Sequence, residues 1–430
     1  MKKTGTILVI VLLALSWYVT VSTAIGTPKE YKAHLEKAKA YEKKEIYEDA
    51  ILEYEAALAI EPENIEIDLK IAEDYMAMFE EESFVSQLEN TISKYENNEK
   101  AVMRLVEYYE KEEQPASALR ILKAENKKQP DNKEIAKKLE ELKGSYRNMY
   151  CTYEDISRIW NGYAVVKSDE GYGIIDSVGG GVLSPNAEEI GLFGKEIPYA
   201  PIKQDGKWSY VNSKNHKKLV PDDVCDWLGS FSDGVATACI KGKYGYFDKN
   251  LEKLCDFEYD YASNMYNGVA AVKKGKKWAI IGDNFKFVTD FIYDDIAVDE
   301  LGYCSVNERL FVKQNNSYYM VDTKGEKISD LTFEDCKPFV STEPTVVKNN
   351  GKWGFINERG EVVINYKYEE AKGFKMEFAP VKINGLWGYI DLNNKVVIDA
   401  KFEDANPFYD NGVASVKNEN WTLIQLNLYQ

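Results

Sequence analysis

Lys348 to Ile364 reads Lys-Asn-Asn-Gly-Lys-Trp-Gly-Phe-Ile-Asn-Glu-Arg-Gly-Glu-Val-Val-Ile, and this stretch decides how most of the chain folds. Asn350-Gly351 is a two-residue reversal signal, because both central positions of such a turn need positive φ and this pair adopts it at little cost. The flanking residues alternate as half-buried strands do. Trp353 and Phe355 therefore share one face of their strand, and Gly354 and Ile356 the other. Glu358-Arg359-Gly360 makes a second turn into Glu361-Val362-Val363-Ile364, so the segment predicts a three-stranded meander.

The unit recurs at Lys382 to Ile398, with Asn384-Gly385 as the turn and Trp387-Gly388-Tyr389-Ile390-Asp391 as the strand. The aromatic position continues through Tyr172, Trp208, Tyr244, Trp278, Tyr318, Trp353, Trp387 and Trp421, at spacings of 34 to 40 residues, in the range of stacked arrays and propellers. These eight residues read as the structural column of a repeat. Four places after each stand Asp176, Asn212, Asp248, Gly282, Asp322, Asn357, Asp391 and Gln425. Asp and Asn suit a strand that ends in a turn, since their side chains bond the backbone just ahead.

Gly-Lys-Trp-Gly-Phe-Ile-Asn at Gly351 to Asn357 and Gly-Leu-Trp-Gly-Tyr-Ile-Asp at Gly385 to Asp391 resemble the WG repeat, found mostly in bacterial proteins. The resemblance covers roughly residues 150 to 430. In departing copies the glycine after the aromatic becomes Ser209, Ala279, Tyr319 and Thr422, and those units should differ where backbones pack closest. The family has no general catalytic residue set, so the resemblance implies a binding or scaffolding module.

Each unit also carries an aromatic followed by acids, as in Phe402-Glu403-Asp404-Ala405, Tyr368-Glu369-Glu370-Ala371, Phe333-Glu334-Asp335-Cys336 and Tyr293-Asp294-Asp295-Ile296. The earliest copy, Tyr153-Glu154-Asp155-Ile156, precedes any hairpin, and the last unit, Gly412 to Gln430, stops before this element. The domain thus begins with the end of a unit and finishes with the beginning of one. In a ring that offset lets the first strand complete the last blade and remove both exposed edges. The expected fold is a closed propeller of about eight small blades, with an open β-repeat array as the alternative. Acid pairs present once per repeat read as structural, with a shallow calcium site as the alternative.

The 430 residues carry a net charge of −17 and 13% aromatic residues. That balance repels nucleic acid. His34 and His216 are the only histidines, which leaves little for histidine-based catalysis or metal binding. Six scattered cysteines form no Cys-x-x-Cys pair, and several lie in apolar strand runs, where free thiols behave as small hydrophobes. No cofactor is expected.

Lys2-Lys3 precede an apolar run from Ile7 to Ile25, long enough to cross a bilayer with the flanking lysines on the cytoplasmic side. Residues 1–28 are thus expected to be a signal anchor that holds a single-pass cell-membrane protein facing outward. Cleavage as a signal peptide, giving a secreted protein, is the alternative.

Residues 29–147 switch to a helical period. Ala38, Tyr41, Ala50, Tyr54, Ala57 and Pro62, then Ala72, Tyr75, Phe84 and Leu88, then Val106, Tyr109, Ala118, Leu122 and Pro130, resemble the tetratricopeptide repeat, a helix-turn-helix unit of about 34 residues. The resemblance implies an α-solenoid whose groove holds a protein or peptide, with Lys39, Lys70, Lys100 and Arg104 on that face beside Glu42, Glu73 and Glu107; a solvated mixed-charge face is the alternative. Lys100 and Arg104 match part of a carboxylate clamp found in some members, but its asparagines are missing.

The whole is a multidomain α plus all-β chain, with the β domain at 148–430. Its expected role is a non-catalytic, membrane-anchored extracytoplasmic binding or scaffold protein. The propeller would recognise a second protein or an envelope polysaccharide. A cell-envelope hydrolase or a lectin-like glycan-binding propeller is the alternative. Trp160 and Trp227, outside the repeated column and in inter-blade loops, are candidate partner-binding residues.

Overall fold

A computed structural model describes residues 27–429, which form two compact units divided after Leu142. Among the described residues no helix is long and apolar enough to cross a membrane. The helices span 10 to 15 residues each, short of the roughly 20 that a bilayer requires, and they bury apolar faces against one another. The expectation of a single-pass membrane protein is corrected accordingly. The apolar run from Ile7 to Ile25, which carried both the anchor and the signal-peptide readings, lies outside the described residues.

The first unit contains seven helices among the described residues: α1 (Pro28–Glu42), α2 (Tyr47–Ile60), α3 (Ile65–Ala77), α4 (Glu81–Lys94), α5 (Glu99–Lys111), α6 (Pro115–Lys128) and α7 (Lys133–Leu142). Thr27 opens α1 with a capping box: its hydroxyl accepts from Glu30 N–H, and the Glu30 carboxylate accepts from Thr27 N–H. The small and aromatic residues of the helical pattern form the core. Ala38, Ala50 and Ala57 are fully buried with Tyr54 between them, and Ala72, Leu88, Val106, Ala118 and Leu122 continue it. Alanine at these points lets neighbouring helices approach closely, and the aromatics fill the wider gaps.

The second unit is an eight-bladed β-propeller. Eight antiparallel sheets follow one another around the ring, five with four strands and three with three. Eight apolar clusters lie one at each junction. Ile174 meets Phe193 and Ala200 between the first and second blades, and Phe355 meets Phe374 between the sixth and seventh. The last cluster joins Trp421 and Leu423 of the eighth blade to Ile156 and Ile175 of the first. The core is therefore a circle of inter-blade contacts, and no blade is buried until its neighbours are in place.

The strand Tyr146–Asn148 closes that circle. It pairs antiparallel with Trp421–Leu426, setting Tyr146 against Leu426 and Asn148 against Ile424. Met149 N–H donates to Leu423 O at 2.8 Å, and Tyr153 bridges to Trp421. The final blade thus takes its outer strand from the start of the unit, and the boundary falls earlier than residue 147 for this reason.

The repeat glycine has a visible cause. A Cβ at Gly388 would stand 2.5 Å from Ile398 O, and one at Gly354 2.7 Å from Ile364 O. At these positions, as at Gly173, the fourth strand is seven residues long and its register shifts beside the glycine. Where Ser209, Ala279 and Tyr319 replace it, the fourth strand shrinks to Lys218–Leu219 or to isolated bridges; at Thr422 the outer strand comes from the N-terminal side. Gly388→Ala is expected to destabilise the propeller by about 1–3 kcal/mol through overpacking against backbone. Ala279→Gly should cost about 1 kcal/mol or less. Urea midpoints of the two variants check the ranking.

The turn chemistry follows the sequence pattern. Asp322 Oδ1 accepts from Lys324 N–H at 2.9 Å and Glu326 N–H at 2.8 Å, and Asp176, Asp248, Asn357 and Asp391 do the same in their blades. In the second to seventh blades the first acid of the aromatic-acid element caps the hairpin turn. Glu334 accepts from Asn350 N–H and Gly351 N–H at 2.9 and 3.0 Å, Glu369 from Gly385 N–H and Asp260 from Gly275 N–H. All six cysteines are free thiols.

Candidate functional site

One loop breaks the pseudo-symmetry. In most blades the innermost two-residue strand leads within a few residues to the next strand. In the fifth blade, Asp295–Ile296 and Arg309–Gln314 are separated by residues 297–308. The Asp299 carboxylate folds this loop on itself, accepting from Leu301 N–H at 3.0 Å and Tyr303 N–H at 2.8 Å. The loop then crosses the ring. Asn264 of the fourth blade donates its N–H to Gly302 O at 2.7 Å and its side-chain amide to Leu301 O at 2.8 Å.

Arg158 of the first blade reaches it from the opposite side. Its guanidinium pairs with Asp299 through Nη2 and with Glu300 Oε1 through Nε at 2.8 Å. Arg158 and Asp299 are both buried, with side chains 3% and 4% exposed. The first and fifth of eight blades face each other across the axis, so this ion pair is a strut along a diameter. Trp160 lies under the guanidinium, 5.1 Å from its ring, and packs on Tyr303 and Tyr266 at 5.3 and 5.8 Å.

Burial pushes the Asp299 carboxyl above its usual range even with Arg158 beside it. Burial also acts to raise Glu300, but Arg158, with Lys372 and Lys337 beyond it, outweighs that and holds it low. The Glu300 side chain nonetheless remains 61% exposed, because it faces an open cavity.

That cavity, about 510 Å³, lies between the plug loop and the first four blades. Its aromatic wall comes from a local departure in sequence. Where other units carry a second acid, as at Asp155, Glu189 and Asp335, the third and fourth blades carry Trp227 and Tyr261. These rings interleave with the repeat column: Trp227 to Tyr244 at 6.0 Å, Tyr244 to Tyr261 at 5.5 Å and Tyr261 to Trp278 at 5.4 Å. Such tilted contacts fix the rings and keep the wall in place. Glu189 at the margin pairs with Lys203 at 2.6 Å.

Trp160 and Trp227 therefore meet at one cavity. Trp160 is buried beneath the plug rather than exposed, and Trp227 is half-buried in the wall. The repeat aromatics stay in the third strands, where a lysine of the adjoining strand lies over several of them, as Lys313 over Tyr318 at 5.0 Å. Arg158, Asn264, Tyr261 and the Asp299–Tyr303 loop were missed by sequence reasoning. The 40-residue step from Trp278 to Tyr318, longest of the series, was the available signal.

In the helical unit, Lys70, Lys100 and Arg104 gather in a depression of about 330 Å³ between α3 and α5. They are already partnered: Lys70 with Glu73 at 2.6 Å, Arg104 with Glu73 at 2.9 Å, and Lys100 with Glu66. Lys39 lies exposed on α1, outside the depression. The mixed-charge surface satisfies itself and offers no lone cation cluster for a carboxylate.

Asp74 of α3 is 3% exposed with Oδ2 unpartnered. Burial, with Glu42 adding to it, pushes its carboxyl up to about 7 from 3.8. Because the folded-state value is raised, ionisation costs stability: nothing below about pH 4, growing as pH rises, complete above about pH 7. Asp74→Asn should stabilise the helical unit at pH 8 by about 2 kcal/mol, half the full conversion of the shift to allow for solvent screening, and change little at pH 4. Thermal unfolding of the full chain, followed by its helical circular dichroism, checks both.

The family model described as "WG containing repeat" matches residues 244–278, 320–353, 353–387 and 387–420. These segments run from one repeat aromatic to about the next, so the propeller carries WG repeats. No curated protein matches the chain. Among solved structures it is similar to the CNH domain of AfRom2, at 6% identity over 66% of this chain and 99% of that one, with a TM-score of 0.36. It is similar to the WD40 domain of SCAP from fission yeast, at 8% identity over 66% and 98%, with a TM-score of 0.38. A third is Hsv2 of Kluyvelomyces marxianus, at 10% identity over 56% and 98%, with a TM-score of 0.34.

Proposed function

We propose that this protein is a non-catalytic binding scaffold, with the propeller cavity and the helical depression as its two recognition surfaces. The observation that carries the reading is the cavity beside the plug loop: one asymmetric, aromatic-walled recess in an otherwise repetitive ring. Its acidic groups support binding rather than chemistry, since Asp299 is engaged by Arg158 and two backbone N–H groups and Glu189 by Lys203. The first acids of the repeated element serve as hairpin caps in six of the eight blades.

The helical unit reads as a tetratricopeptide array. Its second helices begin at Tyr47, Glu81 and Pro115, and its later first helices at Ile65, Glu99 and Lys133, each 34 residues after the last. Such an array suits an extended peptide or partner helix. The ion pairs Lys70–Glu73–Arg104 would open to the partner's own charges. Two surfaces on one chain raise avidity through effective concentration.

The test uses the full chain as bait, beside Lys70→Glu/Arg104→Glu in the depression and Trp227→Ala in the cavity. Partners captured by the wild type and lost with one of these variants are the expected result. Capture unaffected by either variant, or no capture at all, overturns the reading.

A further inference from the structure

The cavity beside the plug holds two unsatisfied polar atoms. Asn264 is 5% exposed; its amide N–H bonds Leu301 O, while its Oδ1 meets no donor. Gly229 packs close to it: a Cβ there would stand 2.8 Å from that oxygen and 2.8 Å from Trp227 Cη2, so only a glycine leaves the oxygen and the indole in place. Trp160 is 8% exposed, and its indole N–H reaches no acceptor in bonding geometry although the Tyr303 hydroxyl is close. Both residues line the cavity. Buried polar atoms are normally satisfied, so a vacant acceptor and a vacant donor at one recess indicate what the recess takes.

Charge narrows the class. Arg158, Lys337 and Lys372 stand against Asp299, Glu300 and Asp404, and Glu189 is matched by Lys203. Each acid that lines the cavity thus has a cation against it, and none is left for an ionic ligand to neutralise. A hydroxyl group is both donor and acceptor, whereas an ammonium only donates and a doubly ionised phosphoryl group only accepts. A saturated ring directs its weakly positive C–H bonds at the negative face of an aromatic ring.

We infer that the cavity binds a neutral polyhydroxylated ring, a glycosyl residue of an oligosaccharide. Its hydroxyls engage Asn264 Oδ1 and the Trp160 N–H, and its C–H face rests on the Trp227–Tyr261 wall. This rests on the binding reading above and names the ligand class for one of its two surfaces.

Isothermal titration of the full chain with neutral di- to hexasaccharides of glucose, mannose, galactose and N-acetylglucosamine tests it. Lysine amide, tetramethylammonium and inorganic phosphate run in parallel. At least one neutral sugar should bind saturably. Trp227→Ala should weaken it about tenfold or more, Trp227→Phe should retain most of the affinity and guard against misfolding, and exposed Tyr150→Ser should leave it unchanged. The inference is overturned if no sugar saturates, if only an ammonium compound or phosphate binds, or if folded Trp227→Ala binds as the wild type does. In any of these cases the protein-partner reading still stands or falls by its own capture test.

Discussion

Arg158→Ala is expected to destabilise the propeller by about 3–5 kcal/mol, the cost of removing one partner from a buried ion pair. The substitution leaves Asp299 buried with only its backbone donors, and Glu300 without its nearest cation. The plug loop then loses its anchor on the first blade, and the diameter that Arg158 and Asp299 span is no longer braced. Against a typical domain stability of about 5–15 kcal/mol, such a variant should be folded but marginal at room temperature. Arg158→Met paired with Asp299→Leu should lose much less, because no buried charge is stranded and Glu300 is exposed to solvent. Urea unfolding of the single and double variants reads the difference, and equal losses would mean that the strut contributes only packing.

The second large effect concerns closure. Deleting residues 143–153 removes the outer strand of the last blade with Tyr146, Met149, Cys151 and Tyr153, which pack into the two clusters flanking that blade. It also breaks the buried Lys143–Asp391 pair, 2.8 Å apart. Burial of several such side chains, at about 1.5–3 kcal/mol each, brings the loss to the order of 5 kcal/mol or more. An unpaired edge at Trp421–Leu426 would also invite self-association. The truncated chain is expected to elute from size exclusion as higher-order species and to unfold over a broad denaturant range. A sharp, monomeric transition like that of the intact chain would show that the ends do not hold the ring.

The parts of this architecture that repeat were legible in the sequence because each copy restates the same physical requirement. Asn350-Gly351 needs positive φ, and both residues have it, at 51° and 71°. Gly354 and Gly388 allow a seven-residue fourth strand to approach, and at Ser209, Ala279 and Tyr319 that strand shortens, as it also does beside Gly245, where the Phe257 ring takes the space. The offset between Tyr153 and Trp421 foretold closure, since only a ring makes use of it.

The candidate site was less legible for the same reason. Trp160 and Trp227 stood out by departing from the repeat column. The residues that make them a site act through tertiary position: Arg158 and Asp299 are 141 residues apart in sequence and meet only because a ring places them opposite each other. Asn264 looks like any polar turn residue until the plug loop occupies its N–H groups. In the helical unit, Lys70, Lys100 and Arg104 are paired with glutamates on neighbouring turns and helices, as a mixed-charge face implies. Composition alone does not reveal such pairing.

Hydrogen–deuterium exchange of the intact chain tests the central claim most directly, read on the peptides covering residues 145–153 and 421–426. If the first strand of the propeller completes its last blade, the Met149, Tyr153 and Trp421 amides, each bonded across that seam, exchange as slowly as those of the sixth and seventh blades and gain deuterium together. Rapid exchange at residues 145–153, with the sixth and seventh blades still protected, would contradict it.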